Sequence, residues 1–151
     1  MDILIFGFKN TTCEKIIYGL EDTADTVLLE SSSEKIIQFV ESLNFEKYRF
    51  VIGMGEYSGR DTNKIRIETL CTDTFRNSKG VSHTLSIPYF FRAIHPFKLA
   101  KGIGNSWCNL ISYQILQRNQ NTRFTFLHIP KSLRSPLVIE GILHQLKELK
   151  N

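Results

Sequence analysis

Short apolar runs recur along the chain, and two of them end in glycine. Runs of this length and composition are typical of strands that are buried on both faces. A further segment, 64–70, alternates polar and apolar side chains, which predicts a strand with one face in solvent. The pattern predicts the remaining strands at 3–6, 26–30, 50–55, 97–101 and 124–129.

Apolar residues at helical spacing predict helices between these runs. The longer helices are predicted at 33–43, 106–117 and 136–149. Ser33 is the expected N-cap of the first, because its hydroxyl can accept a hydrogen bond from a free amide of the first turn. A short helix is predicted at 89–95, where Pro96 would end it. The polar stretch 72–88 predicts a loop or a short hairpin.

Strands that alternate with helices favour an α/β fold. We therefore predict a three-layer αβα sandwich with a mostly parallel central sheet. No linker, internal repeat or low-complexity tract interrupts the pattern. The expectation is a single domain that spans residues 1–151.

Composition narrows the class of protein. The chain is 42% hydrophobic and 23% charged, which is globular composition and argues against disorder. Its 19 basic residues are scattered, so no stripe for nucleic acid is evident, and no apolar run has the roughly 20 residues of a membrane span. The N-terminal segment lacks the pattern of a signal peptide, so we expect a cytoplasmic protein. Three cysteines without CxxC spacing predict neither disulfides nor a zinc site, and no metal or cofactor is implied.

Three features of the predicted fold meet at the carboxyl ends of the strands, where the working site of an open α/β sheet lies. They are the glycine loop 53–60, the turn 102–108 and the strand end at His128. Cys108 falls in the first turn of a predicted helix, where free amides and the helix dipole would lower the pKa of its thiol. His128 could then act as its base. Taken alone, each residue also fits a structural role, as a buried thiol and as a satisfied histidine.

The residues around Cys108 and His128 indicate which family the chain resembles. Segment 104–109 reads Gly-Asn-Ser-Trp-Cys-Asn, Tyr113 follows it, and 126–130 reads Phe-Leu-His-Ile-Pro. Together they resemble the pyroglutamyl peptidase I family of cysteine peptidases. Segment 53–60 is similar to the family's Gly-x-Gly-Gln-Ala-Gly-Gly-Arg, and Gly7-Phe8 resembles the end of its first strand. The blocks keep the family's order across nearly the whole chain, which implies a phosphorylase/hydrolase-like fold.

The resemblance implies roles for several residues. Cys108 would be the nucleophile and His128 the base. Phe8 would supply one wall of the clamp that holds the pyroglutamate ring, and Arg60 would lie near the oxyanion. The proposed substrate-binding residues are Phe8, Glu56, Arg60 and Trp107. Trp107 could line the pocket beside the nucleophile or pack in the core, and Arg60 could instead be a surface arginine of the loop.

Departures from the family pattern bear on the substrate and on the third catalytic group. Thr11 stands where the second ring of the clamp belongs, and Glu56 replaces the glutamine of the glycine loop. Lys64 occupies the aligned position of the catalytic acid, and Glu68 is the nearest glutamate on the same strand face. Glu68, Glu56 or no acid thus completes the triad. The alternative for Glu68 is an ion pair with Arg66 or Lys64 on a solvated strand.

The resemblance predicts a cysteine peptidase or amidase that hydrolyses an N-terminal pyroglutamyl or related acyl amide by thiolate attack. The alternative is a catalytically impaired relative that binds a small ligand or a protein partner. The partner that we expect for this protein is a peptide or small acyl-amide substrate. We expect it to bind neither nucleic acid nor a membrane. Members of the family assemble into dimers and tetramers, but this chain is shorter, so a homo-oligomer stays open.

Overall fold

A computed structural model of the chain describes residues 2–60, 63–76 and 83–151. The middle of the predicted loop or hairpin, 77–82, lies outside the described residues. The strands are β1 Ile3–Phe8, β2 Asp25–Leu29, β3 Phe50–Tyr57, β4 Ile65–Glu68, β5 Leu70–Thr72, β6 Thr84–Ser86, β7 Phe97–Ala100 and β8 Phe124–Pro130. The helices are α1 Thr12–Tyr18, α2 Ser33–Ser42, α3 Trp107–Arg118 and α4 Ser135–Lys150.

The main sheet has six strands in the order β2-β1-β3-β8-β4-β7. Every neighbouring pair in it is parallel except β4 and β8, which are antiparallel. Helices α1 and α4 pack on one face, and α2 and α3 pack on the other. The predicted α/β sandwich with a mostly parallel sheet is therefore confirmed. β5 and β6 form a separate antiparallel pair.

Burial on both faces explains the apolar runs in the sequence. Every residue of β1 and every residue of β8 is buried, because each strand lies inside the sheet with a helical layer on either side. Side chains of one strand alternate between the two cores. On β3, Val51 packs toward α2 and α3, whereas Ile52 packs toward α1 and α4.

The predicted strand 64–70 was wrong in two respects. It divides into β4 of the main sheet and β5 of the small sheet. Its polar face is not solvated, because Glu68 is fully buried and Arg66 is largely covered. Alternation of polar and apolar residues therefore marked a strand between a hydrophobic core and a polar site, not a strand facing water.

Helix α1 was not predicted, because it has only seven residues. Thr11 caps it by accepting a hydrogen bond from the Cys13 amide, and Cys13, Ile16 and Ile17 bury its inner face. Helix α2 begins after Ser32, whose hydroxyl accepts from the Lys35 amide, so Ser33 is not the N-cap.

The predicted helix at 89–95 was wrong, since no helix forms there. Side chains from other elements bind the backbone of this segment instead. Thr125 accepts from the Phe90 amide, and Gln145 bonds both the amide and the carbonyl of Arg92. These tertiary hydrogen bonds replace the local ones that a helix would make.

None of the helices in the described part of the chain combines the length and the apolar content needed to cross a bilayer.

Candidate active site

Cys108 and His128 meet above Gly55, on the face of the sheet that α3 covers. Gly55 lies opposite His128 in the register of β3 and β8, and α3 begins one residue before Cys108. A Cβ atom added to Gly55 would overlap the Cys108 sulfur and would lie 3.3 Å from His128 Nε2. The sulfur and the imidazole nitrogen therefore flank one point near the carboxyl end of β3.

Gly53 and Gly55 lie inside β3, so the predicted glycine loop is shorter than 53–60. The strand continues to Tyr57 and the loop begins at Ser58. A side chain at 53 would collide with the rings of Phe6 and Phe126, and one at 55 with the Cys108 sulfur. These glycines permit close packing across the sheet; they do not form a turn.

Contrary to the sequence-based expectation, the pKa of the Cys108 thiol is not lowered. Burial raises it to about 12, and charge on Cys13 and Glu68 acts in the same direction. The residue's own backbone amide opposes this rise. Cys108 keeps partial exposure to solvent, but the helix N-terminus does not offset the loss of hydration and the two unfavourable neighbours, so the thiol form is favoured over the thiolate.

The other side of the imidazole is bound by Glu68. His128 Nδ1 lies 2.9 Å from Glu68 Oε1, and both side chains are nearly inaccessible to water. Burial alone would raise the pKa of Glu68, but hydrogen bonds from His128, the Gly102 amide and Arg66 outweigh it and leave the pKa below 4.5. Glu68 is then an ionised acceptor. Nδ1 of His128 therefore carries a proton, and in the neutral imidazole Nε2 is then the acceptor, on the side of Gly55 and Cys108.

The strand register explains how Glu68 reaches His128. β4 runs antiparallel to β8 and pairs Arg66 with His128 and Glu68 with Phe126. Residues two apart on a strand share a face, so Glu68 is a diagonal neighbour of His128 on the side that α3 covers. Arg66 Nε donates to the same carboxylate oxygen at 3.2 Å, and the Gly102 amide donates to Oε2 at 3.0 Å.

Asn109 fixes the start of α3, a role that no sequence pattern indicated. Its side chain is fully buried. Nδ2 donates to the carbonyls of Thr72 and Thr74, at 3.0 and 2.7 Å, and Oδ1 accepts from the Thr72 amide at 2.8 Å. The residue after Cys108 thus ties the helix to β5.

Two of the predicted substrate-binding residues lie on the face of the sheet that carries Cys108. Phe8 belongs to the core on that face and is 3% exposed, so almost none of its surface is available to a ligand. Trp107 is half-buried, with its ring 5.1 Å from the ring of Phe75 and under the guanidinium of Arg76 at 4.4 Å.

The other two predicted residues lie elsewhere. Glu56 follows Gly55 on β3, so its side chain points to the opposite face of the sheet, where it accepts from the Thr12 amide at 2.7 Å. This bond stabilises the first turn of α1. Arg60 is exposed in the loop after β3. Tyr57, which the sequence analysis did not single out, lies closer, with its ring 6.1 Å from the imidazole of His128.

Four cavities in the described residues lie away from this pair. The one of about 730 Å³ is a groove along α4, lined by Leu137, Leu143 and His144 among others. A second, of about 550 Å³, lies beside Glu56 and Lys131. Neither Cys108 nor His128 lines any of the four cavities described. Within the same residues, no group of three acidic, histidine or cysteine side chains is arranged to hold a metal ion.

Comparison with known proteins confirms the resemblance at the level of the fold. No protein-family model and no curated protein matches the sequence. Among solved structures, the pyrrolidone carboxyl peptidase from Thermococcus litoralis is similar over 98% of this chain and 94% of its own, with a TM-score of 0.75 and 16% identity. Pyroglutamyl peptidase I from Bacillus amyloliquefaciens gives a TM-score of 0.75 at 15% identity, over 93% and 92%. The pyrrolidone carboxyl peptidase from Fervidobacterium islandicum AW-1 gives 0.75 at 15%, over 98% and 97%.

Proposed function

We propose that this protein is a cysteine-type hydrolase that cleaves an N-terminal pyroglutamyl group, or a related acyl group, from an amide. The observation that carries the proposal is the alignment of Cys108, His128 and Glu68. The sulfur and Nε2 flank one point at Gly55, and Nδ1 is bound to a buried carboxylate. A histidine that is oriented by an acid and faces a nucleophile is the arrangement of a catalytic triad.

Because Cys108 rests as a thiol, the proposed first step is general-base catalysis. Nε2 of His128 takes the thiol proton as the sulfur attacks the carbonyl carbon of the substrate. The imidazolium that forms is stabilised by the negative charge of Glu68. This route needs no thiolate in the free protein, which agrees with the raised pKa of Cys108.

The tetrahedral intermediate would place its oxyanion at the start of α3. The N-cap Ser106 does not bond the first turn through its side chain, so amides there stay available to an oxyanion. His128 then protonates the leaving amine, and the acyl group remains on Cys108 as a thioester. Water attacks the thioester with His128 again as base, which releases the acid and restores the thiol.

The proposed substrate class comes from the names of the similar structures, which are pyrrolidone carboxyl and pyroglutamyl peptidases. Phe8 lies on the face of the sheet that carries Cys108 but is buried in the core, and Thr11 at the position of the second ring is used to cap α1. A pocket that lacks one aromatic wall would discriminate a cyclic acyl group less strongly, by about 1–3 kcal/mol. Related acyl amides therefore belong in the proposal.

The test is hydrolysis of a panel of fluorogenic amides that carry pyroglutamyl, prolyl, acetyl and glutaminyl groups. We expect turnover of the pyroglutamyl or another acyl amide by the wild type, and loss of at least about 10³-fold in Cys108→Ala and His128→Ala. Cys71→Ala, which alters a buried thiol outside the site, serves as the matched control and should retain activity. An acyl group found on Cys108 by intact-protein mass spectrometry would support the mechanism. Equal rates in wild type and Cys108→Ala would refute it.

The second candidate is a relative that binds a ligand or partner without turnover. It is favoured by the raised pKa of the Cys108 thiol and by the absence of that residue from the four cavities. Its signature would be saturable binding of a pyroglutamyl peptide, measured by calorimetry, with no product after prolonged incubation. Binding that survives in Cys108→Ala together with no hydrolysis in the wild type would decide for this candidate.

A further inference from the structure

Arg66 is the charged donor on the carboxylate that orients His128. Its Nε lies 3.2 Å from Glu68 Oε1, the same oxygen that His128 Nδ1 contacts at 2.9 Å. The side chains of Arg66 and Glu68 are 14% and 0% exposed. Of the three donors on this carboxylate, His128, the Gly102 amide and Arg66, only Arg66 carries a permanent charge.

Two further residues hold the guanidinium in place. The Tyr57 ring lies under it at 4.6 Å, and the Tyr57 hydroxyl accepts a hydrogen bond from Arg66 Nη1 at 3.4 Å. Gly102 lies on the other side, where an added Cβ would be 2.8 Å from Arg66 Nη2. Glycine at 102 therefore leaves room for the guanidinium while its amide binds Glu68 Oε2.

A fully buried carboxylate needs several donors to stay ionised, because burial removes its hydration. Arg66, whose guanidinium contacts Tyr57, is one of the donors that meet this need at Glu68.

We infer that Arg66 is a positioning residue of this site: its guanidinium, held by Tyr57 and Gly102, keeps Glu68 charged and directed at His128. The catalytic part of this inference, that Glu68 orients a general base, rests on the proposed function. The groups that act on Glu68 are His128 from β8, Cys108 from α3, and Arg66 with the Gly102 amide, and Tyr57 from β3 contacts Arg66. His128 and the Gly102 amide also lower the pKa of Glu68, and Arg66 is the donor whose charge does not change with pH.

The decisive experiment follows the Glu68 carboxyl carbon by NMR in protein labelled with carboxyl-13C glutamate, across an acid titration. Glu68→Gln assigns the signal. We expect Glu68 in Arg66→Gln to bind its proton about tenfold more tightly than in the wild type. The matched control is Arg118→Gln, which removes the exposed ion pair with Glu41 and should leave the titration unchanged. A change below about twofold in Arg66→Gln would overturn the inference.

A second readout uses the proposed activity. Arg66→Gln should move the acidic limb of the kcat/KM profile up by about one pH unit with little change in KM, which a purely structural defect would not do. If Arg66→Gln does not fold, Arg66→Lys decides, because an ammonium cannot contact both Glu68 and Tyr57 in the same way. It should strengthen proton binding by about threefold, and an unchanged titration would refute the role. If the wild type hydrolyses no amide, the proposed function fails, while the NMR titration still decides the role of Arg66.

Discussion

Glu68 Oε1 and His128 Nδ1 are 2.9 Å apart, although their strands run in opposite directions. A sheet with parallel strands only would bring the end of β4 to the same edge as the end of β8. The single antiparallel pairing instead places the last residue of β4 beside the interior of β8. The carboxylate therefore approaches the imidazole from within the sheet, where water does not reach, and Nε2 lies on the side of Gly55 and Cys108.

Replacing Glu68 by glutamine tests the electrostatic part of this relationship. Glutamine keeps the size and an acceptor oxygen, but it removes the charge that would stabilise the imidazolium. For the proposed hydrolase we expect kcat to fall by about 10³-fold with KM changed by less than about threefold. Steady-state kinetics on the best acyl amide would measure this. A variant that keeps more than a tenth of wild-type kcat would show that Glu68 does not assist the base.

The Glu68 carboxylate should make the free energy of unfolding depend on pH in the acid range. The pKa of Glu68 is lowered in the folded protein, so below about pH 4.5 the unfolded chain binds the extra proton. Glu68 thus contributes stability above its unfolded pKa, and this contribution is lost as the pH falls through the folded pKa. Urea unfolding at several pH values between about 3 and 7 should show a steeper loss for the wild type than for Glu68→Gln.

A matched control for the acid titration is Glu41→Gln, which removes an exposed glutamate paired with Arg118. Exposed pairs contribute about 0–1 kcal/mol, so its curve should follow the wild type. Glu68→Gln itself should be less stable at neutral pH by about 3 kcal/mol, because it leaves Arg66 largely buried without its anion. Parallel curves for wild type and Glu68→Gln would contradict the assignment of Glu68 as an ionised group.

Gly55→Ala should disable the site more than it damages the fold. The new Cβ would occupy the position of the Cys108 sulfur, so the nucleophile must move. A displacement of about 1 Å costs on the order of 10² in rate, and overpacking costs about 1–3 kcal/mol in stability. Gly53→Ala is the control on the same strand face, where the Cβ meets Phe6 and Phe126 instead. Both variants should unfold more easily, but only Gly55→Ala should alter the alkylation rate of Cys108. Equal loss of that rate in both would contradict this account.

Much of the fold was predictable because the sheet is buried on both faces. The continuous apolar runs of β1, β3 and β8 and the spacing of α2, α3 and α4 identify their elements directly. The segment at 89–95 was misassigned because side chains of Thr125 and Gln145, distant in sequence, bind its backbone. Helix α1 was missed because seven residues carry too little periodic signal.

The candidate site, like the fold, could be predicted from the sequence only in part. Sequence motifs brought Cys108 and His128 together correctly, since the ends of parallel strands meet at one edge of a sheet. The direction of the Cys108 pKa shift was wrong, because burial and nearby groups depend on packing that no local pattern encodes. Glu68 was a candidate on the basis of strand alternation, yet its partner followed only from the antiparallel register of β4. Tyr57 and the contacts of Asn109 carried no recognisable sequence signal.

Alkylation should distinguish a resting thiol from a preformed thiolate. Since burial raises the pKa of Cys108 to about 12, iodoacetamide labelling of this residue should increase steadily from about pH 7 to 10. Cys13 and Cys71 are fully buried and should stay unlabelled until the protein unfolds. Peptide mapping would identify the labelled residue, and urea-denatured protein, in which all three react, is the control. A rate that levels off below pH 7 would instead indicate a thiolate–imidazolium pair.

Asn109→Leu should destabilise the protein, because it removes the hydrogen bonds that attach the start of α3 to Thr72 and Thr74. Leucine has a similar volume, but it leaves the carbonyls of Thr72 and Thr74 and the Thr72 amide without their buried partner. Each such group costs about 1–3 kcal/mol, so we expect a loss of at least 3 kcal/mol and a fall in Tm of about 10 °C.

Asn121→Leu, at an exposed position after the same helix, should change stability by less than about 0.5 kcal/mol. Because Asn109 follows Cys108, the folded fraction of Asn109→Leu should also alkylate Cys108 at an altered rate. A stability equal to that of Asn121→Leu would show that the bonds to Thr72 and Thr74 do not anchor the helix.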